Sequence, residues 1–77
     1  MNYTEAVSYS VIPEIEHYSI SKRELEILKL LSVGKKNKEI AKSLYISQET
    51  VKKHLQNIFA KLQVSSRIEA VIKLKLI

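Results

Sequence analysis

Two lysines and a glutamine, Lys52, Lys53 and Gln56, lie close together in a segment with regular apolar spacing. A lysine can donate to O6 and N7 of guanine, and a glutamine can pair with N6 and N7 of adenine. Glu49 falls on the same side of the segment. Side chains of these types on one exposed surface would suit contacts with the edges of base pairs.

A helix over residues 48–62 is predicted to hold these side chains. Its apolar residues recur at i, i+4, i+7 and i+11, which is the spacing of an amphipathic helix: Val51, Leu55, Ile58 and Leu62. Ser47 is a good N-cap for this helix. The glutamate, the lysines and the glutamine then lie opposite the apolar stripe and remain available to a ligand.

A polar stripe runs beside this face and consists of Thr50, His54, Asn57 and Lys61. For Thr50 and His54, contact with phosphates and hydrogen bonding inside the protein remain equally open. For Asn57 and Lys61 we favour a structural role against neighbouring helices.

A shorter helix is predicted immediately before, from an N-cap at Asn37 to Leu44, with Ile40 and Ala41 on its apolar face. Three residues separate it from the longer helix. A short helix, a tight turn and a longer helix form the helix-turn-helix arrangement. In that arrangement the second helix enters the major groove and the first crosses the backbone.

The amino end of the shorter helix is predicted to bind phosphates. Free amides and the positive end of the helix dipole favour an anion there, and lysines surround the position. The alternative is that these lysines are only a solvated run of positive charge with no binding role. The expected phosphate contacts are Lys35, Lys36, Asn37, Lys38, Lys42, Ser47, Thr50 and His54.

Two further helices are predicted on either side of this pair. The first begins with a capping box between Ser21 and Glu24 and ends at Gly34. The last begins at Ser66, with a second capping box to Glu69, and continues to about residue 76.

The last helix has apolar residues on two faces. We assign the stripe of Ile68, Val71 and Ile72 to the core. The opposite stripe is then a candidate homodimer interface, and a twofold dimer would prefer an inverted repeat in DNA. Alternatively, the segment 1–19 folds over it. The predicted interface residues are Ala70, Leu74 and Ile77.

Length and charge fit this organisation. The chain has 77 residues, enough for one domain, and a net charge of +5. Residues 1–19 lack periodicity and are predicted to form an arm, followed by the domain at 20–77. Residues 22–61 carry a surplus of six positive charges, which invites a polyanion. The chain has no cysteine, no apolar run long enough to span a membrane and no secretion signal.

Residues 20–72 resemble the LuxR-type helix-turn-helix domain of bacterial regulators. The matching motifs are Ile20-Ser21-Lys22-Arg23-Glu24, Asn37-Lys38-Glu39-Ile40-Ala41, Thr50-Val51-Lys52-Lys53-His54 with Asn57-Ile58, and Ser66-Arg67 with Ala70-Val71. The resemblance implies an all-α, four-helix domain that regulates transcription. It also implies base contacts by the residues at Lys52, Lys53 and Gln56, and dimerisation through the last helix.

Two features set this chain apart from the family pattern. The family often has glycine where this chain has Gln63, so a strained turn is expected there. Nineteen residues cannot form the receiver or ligand-binding domain that precedes the module in most relatives, and we favour a stand-alone regulator over a fragment. The resemblance places it in the bacterial cytoplasm, associated with the nucleoid when bound to DNA.

Two other functions remain open. A polymerase-docking helix-turn-helix of the sigma-factor type has a similar pattern and would bind a promoter only together with RNA polymerase. Contact with RNA polymerase is left open for the regulator as well. A protein-interaction module that sequesters another regulator would suit the two-faced last helix. An enzyme is not expected, because His17 and His54 are the only histidines and neither has a carboxylate pair or metal spacing around it. No cofactor or metal is expected.

Overall fold

Four α-helices form the part of the chain that the structure describes. The computed structural model describes residues 18–76, with the backbone alone at Leu76. The helices are α1 (Lys22–Ser32), α2 (Asn37–Leu44), α3 (Gln48–Leu62) and α4 (Arg67–Leu76). Residues 18–76 contain no strand, so the predicted all-α fold is confirmed. Most of the predicted arm lies outside the described residues.

Helix α1 begins and ends as its sequence predicts. The Ser21 hydroxyl accepts from the Glu24 amide at 3.1 Å, and the Glu24 carboxylate accepts from the Ser21 amide at 2.8 Å. After the helix, Gly34 adopts a φ of 88°, and the Lys35 amide donates to the Leu30 carbonyl at 3.1 Å. A glycine at this left-handed position lets the chain turn sharply toward α2.

The turn between α2 and α3 is also short. Tyr45 takes the left-handed conformation with a φ of 57°, and the Ile46 amide donates to the Ala41 carbonyl at 3.0 Å. The predicted N-cap of α3 is confirmed, because the Ser47 hydroxyl accepts from the Thr50 amide at 3.1 Å. Residues 37–62 therefore adopt the helix-turn-helix arrangement.

The prediction that Asn37 caps α2 is wrong. Lys36 is the N-cap, and Asn37 is the first helical residue. The carboxylate of Glu39 accepts from the Lys36 amide at 2.9 Å and satisfies one of the amides at this end. The side chain of Asn37 is bound instead by a residue of α4.

The turn from α3 to α4 contains the expected departure from the family pattern. Gln63 holds a left-handed φ of 57°, a conformation that glycine adopts without steric cost. The predicted capping box of α4 is present in part. The Ser66 hydroxyl accepts from the Glu69 amide at 3.2 Å, but the Glu69 carboxylate accepts from Ser65 at 2.7 Å, one residue earlier than predicted.

The core lies around α3, which packs against all three other helices. Most of its buried side chains come from the predicted apolar stripes of α1, α2 and α3, and α4 adds one small residue. The buried apolar residues are Ile27, Leu28, Leu31, Ile40, Ala41, Val51, Leu55, Ile58, Leu62 and Ala70. Because one side of α3 is used in this way, its other side faces solvent.

One ion pair joins the start of α1 to the end of α3. The Lys61 ammonium lies 2.6 Å from the carboxylate of Glu24, which is buried, and also donates to the Ser19 carbonyl at 3.0 Å. Burial raises the pKa of Glu24, but hydrogen bonds from Lys61 and Ser21 and the charge of Lys61 outweigh it and leave the pKa lowered. The predicted structural role of Lys61 is confirmed.

Candidate nucleic-acid interface

The solvent side of α3 carries the residues expected to contact bases. Glu49, Lys52, Lys53 and Gln56 are all exposed, whereas the opposite side of the helix is buried. Glu49 lies 3.5 Å from the Lys52 ammonium, in a pair that water screens and that adds little stability. Both lysines are therefore free to exchange water for a polyanion.

The lysines around α2 form a second exposed group, here called the α2 lysines: Lys35, Lys36, Lys38 and Lys42. Lys35, Lys36 and Lys38 flank the amino end of α2, where the first backbone amides lack partners within the helix, and Lys42 lies in its last turn. Asn37 lies among them and is half-buried. This segment has the charge and the donors that phosphate binding needs.

A shallow cavity of about 250 Å³ lies between the first residue of α2 and the exposed side of α3. Asn37 borders it from α2, and Lys52 and Gln56 border it from α3. The floor is apolar and includes Leu55 and Phe59. The helix-turn-helix thus places one predicted phosphate contact and two predicted base contacts around a single depression, while Lys53 and Glu49 lie outside it.

The polar stripe of α3 divides between structural and exposed positions. Thr50 is half-buried, and its hydroxyl lies 2.8 Å from that of Ser47 at the helix start. His54 is half-buried. Asn57 is exposed, which gives no support to the structural role predicted for it. Lys61 is held by Glu24 and by the Ser19 carbonyl.

Arg67 belongs to this site, although the sequence analysis gave it no role beyond the family motif. Its guanidinium donates to the Asn37 side-chain oxygen at 2.7 Å and to the Lys35 carbonyl at 2.5 Å. It also borders the cavity described above. One signal could have revealed it: a cation in the first turn of a helix opposes the helix dipole, so its position calls for another partner.

The face of α4 assigned to a dimer interface is wrong. Ala70 is fully buried in the core and Leu74 packs against the core, whereas Ile68 and Ile72 are 72% and 53% exposed. The two stripes are therefore reversed at these positions, although Val71 packs against the core as predicted, and Ile77 lies outside the described residues. In a helix with apolar residues on both faces, periodicity cannot select the face that packs against the core. The small side chain of Ala70 allows α4 to pack close to the neighbouring helices.

The exposed stripe of α4 lines a second cavity of about 280 Å³ next to the end of α1. Its apolar walls are Leu31, Ile68, Val71 and Ile72. Lys35, Lys36 and Arg67 also border it, so the apolar face of α4 adjoins the α2 lysines.

The family model that describes bacterial regulatory proteins of the luxR family matches residues 18–74. The chain belongs to this family. It is 52% identical over 58 residues to the transcriptional regulatory protein LiaR of Bacillus subtilis, covering 75% of this chain and 28% of LiaR.

Two further relatives come from other bacteria. One is the probable csgAB operon transcriptional regulatory protein of Salmonella typhimurium, 52% identical over 68% of this chain and 24% of the relative. Another is the nitrate/nitrite response regulator protein homolog of Haemophilus influenzae, 44% identical over 70% of this chain and 26% of the relative. The chain spans about a quarter of the length of these curated relatives.

Family membership confirms the predicted resemblance and fold, and it confirms that the chain is a regulatory module and not an enzyme. Among residues 18–76, no helix has both the length and the apolar character needed to cross a bilayer.

Proposed function

We propose that the chain is a sequence-specific regulator of transcription that binds double-stranded DNA as a homodimer and inserts α3 into the major groove. One observation carries this proposal: Lys52, Lys53 and Gln56 are exposed on a helix whose opposite side is buried in the core. A helix held in this way can approach a duplex without rearranging the protein. Binding to chromosomal DNA would place the chain in the bacterial cytoplasm.

Base contacts would come from the exposed side of α3. Lys52 and Lys53 are suited to guanine O6 and N7, and Gln56 is suited to adenine N6 and N7. Glu49 lies at the amino end of the same face and could accept from cytosine N4.

Phosphate contacts would come from the α2 lysines, from Asn37 and from Ser47, Thr50 and His54 near the start of α3. These contacts position the protein without distinguishing sequences. If about six to eight phosphates are neutralised, the logarithm of the binding constant should fall with the logarithm of salt concentration at a slope on the order of −5 to −7.

Dimerisation would use the exposed stripe of α4, with Ile68 and Ile72 at its centre. Two large apolar side chains exposed on one helix face favour burial against another surface. In a twofold dimer each α4 would meet its copy, and the two α3 helices would contact half-sites about one helical turn apart.

Selection of bound duplexes from a random pool tests the proposal. We expect an enriched inverted repeat for the unchanged chain. The variant Lys52→Ala/Lys53→Ala should lose the motif, while Lys22→Ala/Lys29→Ala, which removes two exposed charges from α1, should retain it. Failure to enrich any motif, with no binding to duplex DNA at low ionic strength, would contradict the proposal. In that case a module that sequesters another regulator becomes the better hypothesis.

A further inference from the structure

Arg67 fixes the orientation of a side chain at the proposed phosphate site. It is the first residue of α4 and is half-buried, and it donates to the Asn37 side-chain oxygen at 2.7 Å. A guanidinium has donors and no acceptor, so it can bond only the oxygen end of an amide. The nitrogen end of the Asn37 amide, with two N–H donors, is therefore directed away from Arg67.

The second bond of Arg67 restrains the backbone of the same segment. Its other terminal nitrogen donates to the Lys35 carbonyl at 2.5 Å. The planar guanidinium thus binds the backbone carbonyl of Lys35, which precedes α2, and the side chain of Asn37, the first residue of α2. Both exposed flanking lysines, Lys36 and Lys38, depend on this stretch of backbone for their position.

The location of Asn37 indicates which ligand its two amide N–H donors could bind. It opens α2 and borders the cavity shared with Lys52 and Gln56 on α3. A phosphate oxygen is an acceptor without a proton, so it requires donors such as an amide N–H₂ group. A freely rotating asparagine would present its oxygen as often as its nitrogen, and the oxygen would repel a phosphate.

We infer that Arg67 is a positioning residue for DNA binding: it directs the amide nitrogen of Asn37 toward a backbone phosphate without contacting that phosphate itself. This inference rests on the proposed function. The orientation is set before DNA binds, so the complex avoids the entropy cost of ordering that side chain.

Arg67→Gln and Asn37→Ala, alone and together, test the inference by fluorescence anisotropy with the selected duplex at fixed salt. Each single variant should weaken binding on the order of tenfold, about one hydrogen bond to a charged group. The double variant should bind no more weakly than Arg67→Gln alone, because that change already removes the contact that Asn37 makes. Losses should be equal on an unrelated duplex, because a phosphate contact carries no sequence information.

Arg67→Lys separates geometry from charge. Lysine keeps the positive charge but cannot hold both acceptors in one plane. We expect it to bind as weakly as Arg67→Gln. Binding at the level of the unchanged chain, or a double variant weakened by the product of the two single losses, would overturn the inference, because Arg67 would then act as an independent charge.

Asn37→Asp tests the orientation in a folded protein. The aspartate keeps an acceptor for Arg67, so its thermal unfolding midpoint should equal or exceed that of the unchanged chain. It has no donor for a phosphate, so DNA affinity should fall on the order of tenfold or more. Ser43→Asp adds the same charge at an exposed position outside the proposed interface, and it should lower DNA affinity clearly less than Asn37→Asp does. Equal losses in the two variants would overturn the inference.

The unchanged chain separates this inference from the proposed function. If it fails to bind duplex DNA at low ionic strength, the proposed function is wrong. If it binds, and all Arg67 and Asn37 variants bind equally well, only the role of Arg67 is wrong.

Discussion

Helix α3 separates its apolar and polar side chains, whereas α4 presents apolar side chains both to the core and to solvent. On α3, Val51 and Ile58 are fully buried while Lys52 and Lys53 are exposed. On α4, Ala70 is fully buried while Ile68 remains 72% exposed. The exposed side of α3 suits a hydrated polyanion, and the exposed side of α4 suits an apolar surface.

The difference also concerns how each helix is held. The orientation of α3 follows from four buried side chains on one stripe, so no single side chain determines it. Helix α4 contributes one fully buried residue, Ala70, with Val71 and Leu74 partly buried against the core, and it makes polar contacts toward each end. Arg67 binds α2 at one end, and Lys73 donates to the Leu62 carbonyl at 2.7 Å toward the other.

The largest effect is expected on the exposed side of α3. Lys52→Ala/Lys53→Ala should lower affinity for the selected duplex on the order of a hundredfold, because each lysine contact to a base contributes about 1–3 kcal/mol. The unfolding midpoint should change little, since both side chains are exposed. Lys22→Ala/Lys29→Ala is the charge-matched control. An equal loss in the control would reduce the role of α3 to general electrostatic attraction.

The ion pair between Lys61 of α3 and Glu24 of α1 should contribute to the stability of the fold. Lys61→Met leaves the buried Glu24 carboxylate without its cation, and we expect a loss of about 1–3 kcal/mol, reduced because Lys61 is partly exposed. Because folding lowers the pKa of Glu24, its contribution is present above the ordinary value of 4.5 and is lost as pH falls through the folded-state pKa.

Chemical denaturation between pH 3 and pH 7 measures both effects. Glu24→Gln should flatten the acid side of the stability profile relative to the unchanged chain. An unaltered profile in that variant would show that other groups control acid unfolding.

The two faces of α4 should respond differently to substitution. Ala70→Leu adds volume to a closed core and should destabilise the fold by about 1–3 kcal/mol. Ile68→Ser/Ile72→Ser should change the stability of the monomer by about 0.5 kcal/mol or less and weaken self-association. Chemical denaturation and sedimentation with an inverted-repeat duplex separate the outcomes. If the serine variant sediments as the unchanged chain does, α4 is not the dimer interface.

The smallest effect is expected at the turn between α3 and α4. Gln63→Gly relieves a left-handed conformation at a residue with a Cβ and should stabilise the fold by about 0.5–1 kcal/mol. For a domain of this size, that raises the unfolding midpoint by a few degrees. A lower midpoint would mean that the unfolded-state entropy of glycine outweighs the strain.

Local sequence signals predicted the helices because their causes are local. The cap at Ser21, the turn at Gly34 and the stripe of α3 each depend on residues within a few positions of one another. The exposed side of α3 was predictable for the same reason. The face of α4 was not, because both stripes are apolar and only packing against α1 and α3 selects one.

The connections of the site depend on distant pairs. Arg67 and Asn37 are 30 residues apart, and Lys61 and Glu24 are 37 apart. No periodicity in the sequence links such pairs. The positions of Lys61 and Arg67 in their helices therefore do not indicate which residues they bind. A local capping rule predicts Asn37 as the cap because it takes no account of a distant donor such as Arg67.

Purine substitution in the selected duplex tests the central claim most directly. Replacing a contacted guanine or adenine by its 7-deaza analogue removes one acceptor from the major groove and leaves base pairing intact. We predict a loss on the order of tenfold for the unchanged chain and no further loss for Lys52→Ala/Lys53→Ala at the guanines. Equal affinity of the unchanged chain for substituted and unsubstituted duplexes would contradict insertion of α3 into the major groove.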